Sequence, residues 1–232
     1  VLSYADEIFS LGYELEETVK NTAKGRAQVL RVGVADVIPK SIAYRLLEPA
    51  LNLAEPIRFV CKENSLEALL GELALHKLDI VIADGPIPTR LGVKGYNHEL
   101  GECGITFMAA PKLASSLTSA FPSNLSGAPF LMPSDLSLVQ PQLLQWLDRQ
   151  HILPSIVGEF DDSALMKAFG QAGVGVFVVP TAIADEVASQ YKVEILGQTD
   201  AIREQFFAIT AERQLSHPAL IAINATARDW LD

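Results

Sequence analysis

Cysteine is scarce in this chain of 232 residues: Cys61 and Cys103 are the only two. No CxxC pair or Cys/His cluster occurs, which removes a disulfide scaffold and the common zinc sites. Both cysteines lie in or beside apolar runs and are expected as small core residues in a reducing compartment. Histidine is equally thin. His76, His98, His151 and His217 are scattered, with no HExxH or other metal spacing, and lone histidines of this kind serve structure or surface. GxSxG, a P-loop and GxGxxG with its acidic partner are missing too, so the chain is not expected to be an enzyme. Positive charge is in deficit, 18 Lys plus Arg against 28 Asp plus Glu, and a net charge of −10 disfavours a surface that grips nucleic-acid phosphates. No apolar run approaches the roughly 20 residues that span a bilayer, and the N-terminus is too charged for a secretory signal. A cytoplasmic location without a membrane partner is the expectation.

What is present is a chain 49% hydrophobic, enough for one large core or two small ones. Residues 156–180 are the most legible stretch. Ile156 and Val157 are expected to end a buried strand, and Asp161 or Asp162 to cap a helix whose stripe is Leu165, Ala168, Phe169 and Ala172. Gly173 supplies a left-handed stop, residues 174–179 read as a strand covered on both faces, and Pro180 closes it. Loops at the carboxyl ends of such strands are where α/β sheets put ligands. The acidic pair sits at one of these loops, although helix capping is the commoner use of such an Asp.

The rest of the chain has the same alternation. Residues 1–24 repeat Tyr4, Ile8, Leu11, Leu15 and Val19 at helical spacing with acidic flanks, a pattern suited to a docking helix. Residues 29–35 read as a first strand, followed by a helix from Pro39 with a break expected at Pro49. Residues 57–61 form the next strand, Asn64 and Glu67 a cap and its partner for a leucine-rich helix, and residues 78–83 the third strand. Asp84-Gly85-Pro86 is a turn, residues 90–99 a polar excursion, and residues 105–109 a strand. A shift to Ser, Pro and Asn in residues 114–127 places a domain boundary near Ala110. A second series then runs through strand 130–132, helix 141–150 and the stretch above, to a helix at 183–188, strands at 193–196 and 206–209, and a helix starting near Pro218.

Several of these runs carry a resemblance. Leu30-Arg31-Val32-Gly33-Val34, Leu46-Leu47-Glu48-Pro49, Leu78-Asp79-Ile80-Val81-Ile82, and Ala172-Gly173-Val174-Gly175 with Pro180 are similar to the effector-binding part of LysR-type transcriptional regulators, from about Gln28 to Asp232. A narrower likeness, to the sodium-responsive regulators of sodium/proton antiporters within that family, rests on three runs: Gly101-Glu102-Cys103-Gly104, residues 158–170, and Ala211-Glu212-Arg213 followed by His217-Pro218-Ala219. The resemblance implies an α/β fold of two Rossmann-like subdomains, of periplasmic-binding-protein type II architecture, with a ligand cleft between them. Residues 25–109 with 208–232 would form subdomain I and residues 110–207 subdomain II. Residues 1–24 would be a linker helix to a winged helix-turn-helix domain upstream, through which alone a transcriptional activator of this kind meets promoter DNA. It also implies a homodimer or homotetramer, with residues 39–54 and 57–62 as the matching surface.

The cleft is expected to be lined by carboxyl-end loops: Asp36, Val37, Asn64, Ser65, Asp84 and Gly85 from one subdomain, and Pro133, Ser134, Phe160 and Asp161 from the other. Hard cations take oxygen ligands, so Asp36, Asp84 and Asp161 with loop carbonyls are expected to hold a small cation. Helix N-termini in the same loops favour a small organic anion, and the residues alone leave the two even. The likeness to sodium-responsive regulators turns the expectation to sodium, as an effector and not a resident cofactor. A solute-binding protein of a transporter is the competing function, and it would call for an export signal.

Overall fold

The computed structural model describes residue 12, residues 28–213 and residues 217–231. Apart from residue 12, the expected linker helix of residues 1–24 lies outside the described residues.

Strand β1 (Gln28–Ala35) pairs in parallel with β2 (Ile57–Asn64) on one side and β3 (Ile80–Ala83) on the other, joined by crossover helices α1 (Lys40–Leu51) and α2 (Leu66–Ala74). Every residue of β3 is buried, as its unbroken Ile-Val-Ile-Ala requires of a parallel strand covered on both faces. Two long strands follow, β4 (Tyr96–Ala109) and β8 (Glu194–Thr210), antiparallel to each other. The end of β8 pairs with β3 and the end of β4 with β7 (Phe177–Pro180), giving the order β2-β1-β3-β8-β4-β7. A short parallel pair, β5 (Pro129–Pro133) and β6 (Ser155–Phe160), joins β7's approach through a bridge from Phe130 to Val176. Helices α3 (Pro111–Ser116), α4 (Val139–Arg149), α5 (Ser163–Gln171) and α6 (Ala184–Tyr191) belong to this second half, and α7 (Pro218–Leu231) returns to the first.

β4 and β8 therefore pass from one half of the molecule to the other. At the crossing their register breaks: Cys103 lies opposite Glu204 but Ile105 opposite Thr199, so residues 200–203 of β8 face Gly104 alone. A Cβ on Gly104 would stand 2.6 Å from both Asp200 Oδ1 and Thr199 O, which is why glycine occupies the crossing. Beyond it, Phe107 begins the second core, with ring centres 5.2 Å from Trp146 and 6.2 Å from Phe130. Arg45 of α1 spans the halves from outside, donating to the Ala182 carbonyl (3.1 Å), pairing with Glu186 (3.3 Å) and lying 5.6 Å from the Trp230 ring centre.

Several expectations are corrected. The strands expected at 193–196 and 206–209 are one strand, because pairing with β4 carries the backbone through the polar residues between them. Helix α1 does not break at Pro49. The missing N–H falls in its last turn, where only one bond is lost, and the Asn52 N–H still reaches the Pro49 carbonyl at 3.3 Å. Ser65, not Asn64, caps α2, accepting from the Ala68 N–H at 3.4 Å. Ile156 and Val157 are exposed mid-strand residues of β6, since that strand pairs on one side only. The Leu165/Phe169 stripe of α5 faces outward, and the helix buries Met166, Lys167 and Gly170 instead. Val174 is exposed before β7 begins at Phe177. Cys61 is exposed because β2 is an edge strand, whereas Cys103 is buried as expected.

Candidate functional site

The carboxyl ends of β1, β5 and β6 point into one cleft between the halves. Val37 and Pro39, after β1, meet Pro133, Phe160, Asp161 and Ser163 from the other half around a chamber of about 60 Å³. Pro39 precedes α1, and Asp162 caps α5 by accepting from the Ala164 N–H at 2.7 Å, so two helix N-termini border this chamber. A second chamber of about 50 Å³ lies between Asp84, at the end of β3, and Leu138, Gln142, Arg203 and Gln205. Val139 and Glu204 line both.

Asp84 reaches across. Its half-buried carboxylate accepts from its own backbone N–H and from that of Leu138, in the loop that opens α4. Burial raises its pKa, these two bonds pull it back, and the charge of Asp36 pushes it up again. Gly85 brings the backbone beside the same loop; a Cβ there would stand 2.7 Å from Leu138 Cδ1. On the next turn of α4, the Gln142 amide grips the crossing strand. Its Nε2 donates to the Arg203 carbonyl (3.0 Å) and its Oε1 accepts the Arg203 N–H (3.2 Å).

Glu204 follows immediately on β8. Burial pushes its carboxyl pKa up to about 8, and the charge of Asp84 adds to the shift. None of the ion pairs among the described residues reaches it: the adjacent Arg203 is held by Glu102 at 3.2 Å and Asp200 at 3.3 Å.

The structure thus brings together Val37, Pro133, Phe160 and Asp161, and sets Asp84 and Gly85 at the neighbouring chamber. Ser134 is buried behind them, its N–H tying β5 to β6 through the Phe160 carbonyl at 2.9 Å. Asn64 and Ser65 line neither chamber; their side chains serve the start of α2, and the Asn64 carbonyl accepts the Asp36 N–H at 3.1 Å. Asp36, Asp84 and Asp161 do not form the expected three-carboxylate cage. Among the described residues no group of three or more His, Cys, Asp or Glu is placed to hold a metal ion. Asp161 belongs to one chamber and Asp84 to the other, while Asp36 is exposed. Sequence reading missed Glu204 and Gln142. The signal for Glu204 was its place between Ile202 and Phe206, both fully buried, which by period two puts it on the inward side of β8.

A larger concavity, of about 380 Å³, lies outside the cleft in an open groove between α1 and β2, bordered by Tyr44, Leu51, Phe59 and Cys61.

Two α/β halves joined by two crossing strands, with a polar cleft at strand carboxyl ends, define a ligand-binding domain of periplasmic-binding-protein type II architecture. Residues 23–232 match the family model of the LysR substrate binding domain. The transcriptional activator protein NhaR of Escherichia coli (strain K12) is 36% identical over 220 residues, covering 95% of this chain and 72% of that protein. Solved structures agree on the fold. The effector-binding domain of QuiR in complex with shikimate has a TM-score of 0.64 at 14% identity, over 88% of this chain and 97% of that one. Vibrio fischeri DarR in complex with DNA has a TM-score of 0.64 at 16% identity, over 97% and 76%. The chain belongs to the LysR substrate-binding-domain family. It is a regulatory domain of a LysR-type transcriptional regulator and not an enzyme.

Proposed function

We propose that this domain senses a small cation, sodium, for a transcriptional activator of sodium/proton antiporter expression. The observation that carries the reading is the cleft itself. Asp84, Asp161 and Glu204 face chambers of about 50 and 60 Å³, a size for an ion with water and not for a sugar-sized acid. Cations prefer such oxygen donors, and in place of a three-aspartate cage one or two carboxylates with loop carbonyls would supply them. The 36% identity to NhaR supports the same direction.

In this reading residues 25–109 with 208–232 and residues 110–207 form the two subdomains, and the cation shifts their angle by binding one arrangement better. DNA is met only through a separate N-terminal domain, in a cytoplasmic homodimer. The test is titration with sodium against potassium at constant ionic strength, following domain closure by scattering, in the parent, Asp84→Asn, Asp161→Asn and Glu204→Gln. A response to sodium alone, weakened in at least one variant, is expected. Equal responses to both salts in all four proteins end the sodium reading.

A further inference from the structure

Helix α4 opens into the cleft with its first N–H groups exposed to whatever stands there. Leu138, at its N-cap, has no side-chain acceptor to offer, and no acidic residue occupies its first turn. Ser137 Oγ takes the Val139 N–H at 3.2 Å, and the Leu138 N–H is taken by Asp84 from the opposite half of the molecule. The N-terminus of a helix is an anion site by construction, because unpaired N–H groups and the helix dipole point the same way. Here the anion is already supplied by the chain.

We propose that Asp84 is a specificity-determining residue, a built-in counter-anion that fills the position at the α4 N-terminus which the carboxylate or phosphate of an anionic effector would otherwise take. A tethered group competes at an effective concentration in the millimolar range or above, so a free anion of ordinary affinity is displaced. The surroundings act in the same sense. Glu204 lines the same chamber without a cationic partner among the described ion pairs. Arg203, the cationic side chain lining that chamber, is held by Glu102 and Asp200. Asp36 adds negative charge behind Asp84. The inference rests on the cleft as the effector site but not on sodium as the effector.

The test replaces Asp84 in the whole chain and asks for anion binding that the parent lacks. Potassium acetate and potassium phosphate are titrated at constant ionic strength against the parent, Asp84→Asn, Asp84→Gly and the double variant Asp84→Gly/Glu204→Gln, with thermal midpoint as readout. Asn keeps the shape and an oxygen that can accept the Leu138 N–H, so it separates occupancy from charge. The parent and Asp84→Asn are expected to show no saturable rise. The glycine variants are expected to gain one of a few degrees, with apparent affinity at least tenfold above the parent. If Asp84→Gly does not fold, Asp84→Ser takes its place. The proposal is overturned if the parent binds either anion as tightly as the variants, or if folded single and double variants bind neither. Because no sodium is present, either result leaves the cation reading standing, and failure of the cation reading does not touch this one.

Discussion

Glu204 stands in the field of Asp84 at the point where β8 crosses between the two halves, and that negative neighbour adds to burial in holding its proton. Its folded pKa of about 8 lies above the ordinary glutamate value. An unfolded chain releases this proton near pH 4.3, roughly, so between that pH and about 8 the folded state holds more proton than the unfolded one. Stability from this group is complete below the unfolded pKa, falls as pH rises through the window, and levels off above the folded pKa. Glu204→Gln removes the fall. It should match the parent in urea near the acid end of the window and exceed it above the folded pKa by about 1–3 kcal/mol, discounting for solvent screening of a half-buried group. Parallel pH profiles for the two proteins would contradict this.

Phe107 is fully buried at the start of the second core, with Phe121, Phe130 and Trp146 around it at ring-centre distances of 5.3, 6.2 and 5.2 Å. Truncation leaves a cavity that three rigid rings cannot fill, so Phe107→Ala should cost about 3–5 kcal/mol in urea denaturation. A loss below about 1 kcal/mol would mean that the aromatic cluster collapses freely.

Two glycines in helices should respond with opposite sign to alanine. At Gly170 in α5 the new Cβ would sit 2.2 Å from Phe177 Cδ1 and 2.3 Å from its Cε1, while at Gly71 in α2 nothing lies within 4 Å. Helix propensity favours alanine by about 0.8–1 kcal/mol at each. At Gly170 overpacking costs about 1–3 kcal/mol and wins, so Gly170→Ala destabilises while Gly71→Ala stabilises. Thermal midpoints of the two variants against the parent decide the matter.

Leu165 is 51% exposed on α5 and Tyr44 58% on α1, and both belong to apolar surfaces that the proposed homodimer would cover. Sedimentation at micromolar concentration should give twice the mass of one chain. Leu165→Glu and Tyr44→Glu should each shift that species toward the single chain without lowering its thermal midpoint by more than a few degrees. A parent that sediments only as one chain removes the prediction.

Much of the architecture was legible in the sequence because parallel strands buried on both faces leave apolar runs that nothing else produces. Ile80 to Ala83 is one, and the Gly173 stop at φ +80° marks the end of α5 as its residue type requires. The acidic loops of the cleft were legible for a related reason: each follows such a run, and chain direction then sets the end of the sheet at which Val37, Phe160 and Asp161 meet.

Amino-acid order by itself determined the alternation of strands and helices, the α/β class, the acidic balance and the family. These follow from local periodicity, from turn and cap chemistry, and from motifs that stay whole along the chain. Tertiary structure alone decided which side of an element is covered. The α5 stripe has helical spacing, yet its opposite face is buried because β7 lies on that side, and Cys61 is exposed because no strand pairs beyond β2. It also decided the cleft's chemistry. Glu204 becomes a buried acid because residues 200–203 loop out opposite Gly104 at the crossing, and Asp84 caps a helix more than fifty positions away in the chain because two separately folded halves close on each other. Periodicity reports that a residue is turned inward; what it meets there depends on contacts between segments distant in sequence, and no local pattern encodes those.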